Sequence, residues 1–181
     1  MIVYYFHHYN YPIGKITLAS NGTSIVGLWI ENQRFYMDVL KDKECREKET
    51  EVIKLAKHWL DAYFNNKKPS ASEVPVEFIG SDFRQQVWKI LAQIPYGEVI
   101  TYKAIAENIA TQKGIDQMSA QAVGGAVGHN PISIIIPCHR VVGTDGNLTG
   151  YSGGIEVKTQ LLAFEGVDIT WLYTPKQKSL I

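Results

Sequence analysis

Apolar and polar residues alternate in short runs over the first third of the chain. Ile2–Phe6, Lys15–Ala19 and Ile25–Ile30 are rich in β-branched and aromatic residues and are predicted to be strands. Asn21-Gly22 between the second and third is a hairpin signal, because Gly tolerates positive φ. Residues 34–50 are mostly charged and read as a loop or a solvated helix. Glu51–Phe64 then changes period: Val52, Leu55, Ala56, Trp59 and Tyr63 fall on one helical face. Asn65-Asn66-Lys67-Lys68-Pro69-Ser70 stops that helix and looks like a linker.

The second half repeats the helical period. Asp82-Phe83-Arg84-Gln85 fits a capping box, with Asp82 accepting and Gln85 reaching back. Phe83, Val87, Ile90, Leu91 and Ile94 mark the buried face that follows, and Pro95-Tyr96-Gly97 ends it. Thr101 is a predicted N-cap for a short helix through Ile109, and Ser119 for another through Val127, with a turn at Lys113-Gly114 between them. This pair reads either as a helix-turn-helix or as an ordinary αα-hairpin. Gly124 and Gly125 inside the second helix each cost about 1 kcal/mol against Ala. They point to a close backbone approach, by a packed neighbour or by a nucleic acid. Ile132–Ile136 is a predicted buried strand.

The expected fold is therefore α/β. A small N-terminal domain over 1–75, with a β-sheet and a helix, precedes a mostly helical C-terminal domain over 76–181. The latter carries the pair of short helices, a helix-turn-helix on the first of the two readings, and the strand predicted before Pro137, which the motif below makes the candidate active-site strand.

Composition narrows the class. Among 181 residues, 45% are hydrophobic and 20% charged, as in ordinary globular proteins. Eighteen basic residues balance eighteen acidic ones, which excludes a polycation but not a local phosphate-binding patch. Two cysteines, Cys45 and Cys138, exclude a disulfide framework. The N-terminus lacks a basic region followed by a long apolar one, and no apolar run spans a membrane. A soluble cytoplasmic protein, monomeric, with free thiols is expected.

The chemistry concentrates in Pro137-Cys138-His139-Arg140-Val141-Val142. Pro137 fixes its own φ and pushes Ile136 to extended geometry, so a stiff strand delivers a Cys-His pair. A thiol becomes a strong nucleophile as the thiolate, and an imidazole is the usual base. Neighbours on a strand point to opposite faces, so a Cys138–His139 interaction requires a sharp turn or a bridging water. Glu165, at the end of an amphipathic helix closed by Gly166, is a candidate to orient His139. The plain alternative is a buried core cysteine. Cys45, among Lys43, Glu44, Arg46 and Glu47, reads as an exposed thiol. His7-His8 decorates an edge strand, and Trp29, Trp59, Trp88 and Trp171 read as core. His7, His8, His58 and Cys45 match no zinc spacing, so no metal is expected.

These residues resemble a known family. Pro137-Cys138-His139-Arg140-Val141-Val142 is similar to the active-site hallmark of the O6-alkylguanine-DNA alkyltransferases. Pro95-Tyr96-Gly97-Glu98-Val99-Ile100-Thr101-Tyr102, Ala122-Val123-Gly124-Gly125-Ala126, Asn130-Pro131, Tyr151-Ser152-Gly153-Gly154 and Leu161-Leu162-Ala163-Phe164-Glu165-Gly166 follow the family's order. The match runs from about Phe83 to Gly166 and is loose before it.

The resemblance implies binding of duplex DNA, flipping of an alkylated guanine, and irreversible transfer of the alkyl group to Cys138 without a cofactor. It casts His139 as base through a water, Glu165 as its orienter and Asn130 as a support. It places Tyr102 at guanine N3, the Ser152 N–H at O6, the Cys138 and Val141 carbonyls at the exocyclic amine, and Tyr151 in the pocket wall. Gln121, Ala122, Gly125, Arg140 and Thr144 are the positions it sets against DNA. Many members carry Arg where this chain has Gln121, so weaker DNA affinity or slower flipping is expected. His129 touches phosphate or is a turn histidine. Two other classes compete: a module that binds alkylated bases without repair, against which Cys138 argues, and a cysteine hydrolase, for which no signature is present.

Overall fold

The structure is a computed structural model and describes residues 2–174. Four strands form the first sheet: β1 (Tyr4–Tyr11), β2 (Gly14–Ser20), β3 (Ile25–Ile30) and β4 (Cys45–Glu47). Their spatial order is β3-β2-β1-β4, antiparallel except for the parallel β1/β4 pair. At the β2–β3 turn Asn21 Oδ1 accepts from the Thr23 and Ser24 N–H groups, and Gly22 takes φ 103°. β1 runs five residues past its predicted end, because Tyr9–Tyr11 continue the ladder against Gly14–Ile16.

The segment predicted as loop or solvated helix holds β4 instead. Arg46 and Glu47 are the charges of a short edge strand, a composition that discourages further pairing. β4 covers only Tyr4–Phe6, so His7 and His8 lie on the free edge. Cys45 is half-buried there and packs against a small cluster of Tyr4, Ala19, Val26, Trp29 and Leu40 on one sheet face.

Helix α1 (Glu51–Phe64), capped by Thr50, packs on the other face. Leu55, placed on its apolar side by periodicity, is exposed instead. In the second half α2 (Asp82–Leu91) is capped by Ser81, one residue earlier than expected, and Gln85 donates to the Gly80 carbonyl. A two-residue pair, β5 (Ile100–Thr101) with β6 (Val141–Val142), precedes α3 (Tyr102–Lys113). Thr101 and Ser119 cap α3 and α4 (Ala120–Gly128) as predicted. α3 is a turn longer than expected and stops at Gly114, whose φ is 63°. α5 (Ile155–Phe164) closes the fold. Trp171, read as core, is exposed.

The two halves share one hydrophobic core. Leu18, Leu28, Ile53 and Tyr63 belong to the same cluster as Val87, Trp88, Ile132 and Leu161. The free edge of β3 stitches them together. Ile25 pairs with Val76, and Leu28 with Ile132 through Leu28 N–H to the Pro131 carbonyl and Ser133 N–H to the Leu28 carbonyl, both 2.9 Å.

Candidate active site

Past that single bridge, Ile132–Ile136 is not a strand. The chain coils on itself: Ile135 N–H donates to the Ser133 carbonyl and Ile136 N–H to the Ile132 carbonyl. Ile134 sits at φ 67°, a left-handed conformation that is costly for a β-branched residue. Asn130 organises the coil. Its Oδ1 accepts from Ile132 N–H (3.0 Å) and its Nδ2 donates to the Ile136 carbonyl (2.8 Å). Cys138–Arg140 then forms one 3-10 turn, with Arg140 N–H donating to the Pro137 carbonyl. The sharp turn demanded by adjacent Cys and His is therefore present, although it replaces the expected strand.

Cys138, His139, Arg140 and Glu165, which meet around this turn, are all buried. Glu165 is the hub. Its Oε1 accepts from His139 Nε2 (2.7 Å), Arg140 Nη2 (2.9 Å) and Tyr63 OH (2.7 Å). Its Oε2 accepts from Arg140 Nε (2.8 Å) and Gly97 N–H (3.1 Å). Burial alone would raise the Glu165 pKa; His139 and Arg140 outweigh it and hold the carboxyl far below the usual range. Burial lowers the pKa of His139, so the ring is neutral at pH 7. With Nε2–H donated to an anionic carboxylate, Nδ1 carries the lone pair, and that buried atom has no hydrogen-bond partner. The arrangement is a neutral base held in one tautomer with its accepting nitrogen free.

Burial pushes the Cys138 thiol up to about 11, against a hydrogen bond from Asn130 and the charge of Lys158. Lys158 was not singled out from sequence. It is completely buried, donates to the Val141 carbonyl, and lies 5.9 Å from the Tyr102 ring centre. Desolvation lowers its pKa to about 8. The signal was there: Lys158 shares a helical face with Leu161, Leu162 and Glu165, where a lysine is out of place. Tyr63 carried no such signal, since an aromatic at that spacing is ordinarily core.

A folded-state pKa below the unfolded 10.5 makes stability rise with pH across the window from about 8 to 10.5. At pH 7 the buried ammonium opposes folding. Lys158→Met is therefore expected to raise stability by roughly 1 kcal/mol, after the loss of the Val141 hydrogen bond. It should also slow reactions of the Cys138 thiolate about tenfold or more. Urea unfolding and the rate of thiol alkylation check the two halves of this expectation.

The other expected site residues fall around this centre. Tyr102 OH donates to the Thr149 carbonyl (2.8 Å), and a Cβ at Gly150 would stand 2.5 Å from the Tyr102 hydroxyl oxygen, so only Gly fits there. Tyr151 OH is buried without a partner. Ser152 is held from the N-terminal half through both its carbonyl and its hydroxyl. The Val141 and Cys138 carbonyls accept from Lys158 and from Val141 N–H respectively, one lone pair each. On α4, Gln121, Ala122 and Gly125 are exposed, and a Cβ at Gly125 would meet nothing within 4 Å. Gly124 would touch only the Tyr102 ring, at 3.8 Å. Packing inside the protein thus requires neither glycine. Thr144 is exposed. Arg140 is a correction: its guanidinium is spent on Glu165 and on the Ile94 carbonyl (2.6 Å), so it is not presented to a phosphate. His129 is tied to the Gly125 carbonyl by Nδ1 and stacked on Phe35.

Two family models cover nearly all of this architecture. The ribonuclease-like domain of 6-O-methylguanine DNA methyltransferase matches residues 4–78, and its DNA-binding domain matches residues 82–167. The chain belongs to the 6-O-methylguanine DNA methyltransferase family. Within that family it is 37% identical to a methylated-DNA–protein-cysteine methyltransferase of Haemophilus influenzae, over 92% of this chain and 89% of the relative. A Methanosarcina barkeri protein of the same name is 38% identical over 85% and 92%. The Mycobacterium tuberculosis OGT crystallised in complex with DNA superposes with a TM-score of 0.74, at 38% identity, covering 90% of this chain and 93% of that one. For this methyltransferase, the buried His139–Glu165 pair next to Cys138 in sequence is thus set in a family fold that carries a DNA-binding domain.

Proposed function

We propose that the protein repairs DNA by moving the alkyl group of O6-alkylguanine in a duplex onto its own Cys138, once per molecule. The observation that carries this is the free, buried Nδ1 of His139, next to Cys138 in the 3-10 turn by sequence and aligned by a carboxylate. In the reaction a sulfur–carbon bond forms and the O6–carbon bond breaks. The thiol proton passes to His139 through a water. The electron pair returns to the purine, whose N3 accepts a hydrogen bond from Tyr102; it leaves as guanine after taking up a proton from water, and His139 returns its proton to solvent. Tyr102 must first release the Thr149 carbonyl. Ser152 N–H steadies O6, Asn130 holds the coil that seats the thiol, and Tyr151 closes the pocket. The exposed small residues of α4, Ala122 and Gly125 among them, let the helix approach the DNA backbone, and Gln121 stands at the duplex. Thr144 is a further contact. O4-methylthymine is a second candidate substrate. The protein acts as a monomer, in the cytoplasm, with no cofactor; among the described residues no helix is long and apolar enough to cross a membrane.

Incubation with a duplex carrying O6-methylguanine, followed by intact mass and peptide mapping, tests the proposal. One methyl on Cys138 and no further turnover is expected. Binding without a mass change would indicate a lesion-binding module, and continued turnover on esters a hydrolase.

The pH profile follows from His139. Because its pKa lies below 6.5, the base is already free at neutral pH. The single-turnover rate constant should fall as His139 takes up a proton below about pH 6.5, and fall again as Lys158 loses its charge above about pH 8. A constant unchanged down to about pH 4 would remove His139 from the role. The Gln121 position gives a separate expectation. Gln121→Arg should tighten DNA binding about tenfold and steepen the salt dependence by about one phosphate, from a parent slope of roughly two to four. Fluorescence anisotropy across a salt series measures both.

A further inference from the structure

The N-terminal half contributes residues that the mechanism above does not use to a cavity beside Tyr151 and Ser152. This cavity of about 390 Å³ is lined by Arg34 and Phe35 on one side and by Gly124, Gly125, Tyr151 and Ser152 on the other. The Phe35 ring lies flat on His129, with centroids 3.9 Å apart and an interplanar angle of 22°. The Arg34 guanidinium lies over the same ring at 4.7 Å.

Two anchors hold this loop in place. Arg34 N–H donates to the Ser152 carbonyl (3.0 Å). The buried Gln33 donates to Ser152 Oγ (3.1 Å) and accepts from Ser133 Oγ (3.0 Å) and Ile30 N–H (3.1 Å). The backbone is also strained. Asn32, Phe35 and Met37 adopt φ of 63°, 62° and 53°. For a bulky aromatic such a conformation is unfavourable and persists only where its surroundings impose it. A Gly at position 35 would turn the chain without that cost. What the strain secures is the placement of an aromatic ring at the pocket mouth.

From this we infer that Phe35, clamped by Gln33 and Arg34, is the outer wall of the lesion pocket and sets the size of the O6 substituent admitted. The inference rests on the alkyl-transfer reading. In that reading O6 is held at Ser152, so everything beyond the reacting carbon must fit beside Ser152 and Ser133, the two residues that Gln33 fixes. A methyl group has no need of the space Phe35 occupies, whereas a benzyl group meets its edge.

The test compares single-turnover transfer from duplexes containing O6-methylguanine or O6-benzylguanine, for the parent and for Phe35→Gly. Phe35→Gly is expected to raise the benzyl-to-methyl ratio of rate constants about tenfold, with the methyl constant within about threefold of the parent. Gly is at home at that φ, so the fold is expected to survive; an unfolding midpoint confirms it. Should the variant fail to fold, Phe35→Leu carries the test, with a ratio raised by more than about threefold supporting the wall. A ratio that stays within about threefold of the parent overturns the wall while leaving alkyl transfer intact. A parent that modifies itself with neither duplex overturns the alkyl-transfer reading, and the wall with it.

Discussion

Changing Cys138 to serine is expected to reduce alkyl transfer to below detection while leaving affinity for lesion-containing DNA within about threefold of the parent. The hydroxyl is smaller than the thiol and fits the same seat between Asn130 and the 3-10 turn. Its proton, however, is held several pKa units more tightly. His139, a neutral imidazole whose basicity is already lowered by burial, cannot remove it at neutral pH. The DNA-facing positions on α4 and Thr144 do not involve the sulfur, so binding should survive. Anisotropy and intact mass on the same sample separate the two effects. Cys45, half-buried in an edge strand remote in sequence from the relay, should be replaceable by alanine with neither property changed. Loss of binding together with transfer in Cys138→Ser would mean that the thiol supports the fold and not the chemistry alone.

Glu165→Gln is expected to cost roughly 3 to 5 kcal/mol of stability, the range for removing one partner of a buried ion pair. The amide keeps the shape but not the charge. Arg140 would then be a buried cation facing a neutral group, and His139 Nε2, Tyr63 OH and Gly97 N–H would share a weaker acceptor. The pH dependence gives the sign. The folded-state pKa of Glu165 is depressed, so its contribution is present above the unfolded value near 4.5 and is lost as pH falls below it. His139 is also depressed, and its contribution fades earlier, as pH falls below 6.5. Urea midpoints taken from neutral to acid pH should show both limbs in the parent, and only the upper one in Glu165→Gln. Transfer should fall as well, because the tautomer that frees Nδ1 is no longer enforced. Equal acid sensitivity in the two proteins would show that Glu165 is not the charged hub.

Reading the chain alone reached the strands, the long helix, the N-caps Thr101 and Ser119 and the Cys138–His139–Glu165 grouping. These are local signals: periodicity, cap chemistry and a short motif. It missed what only tertiary contact decides. Ile132–Ile136 looks like a strand because its composition is one, but a single bridge to Leu28 and the turn at Ile134 take precedence. Arg140 was set against DNA by the family resemblance alone, with no local signal of its own. Its burial depends on Glu165 arriving from α5 and Tyr63 from α1, and neither arrival is written near residue 140. β4 was hidden by its own charges. Lys158 was visible as a polar residue on an apolar face and went unread.

The seam between β3 and the coil before Cys138 also constrains the order in which the molecule can be built. Gln33 and Ser133, which meet across it, are 100 residues apart in sequence. While the chain is being synthesised, residues 75–77 cover the outer edge of β3 only at Ile25, and the stretch at Leu28 has no partner until residues 131–133 have emerged. A newly made N-terminal half therefore presents an open strand edge to its neighbours, the feature that most readily recruits another chain. The pairing that seats the nucleophile is also the one that closes that edge, so the site is completed only when the risk of misassembly ends.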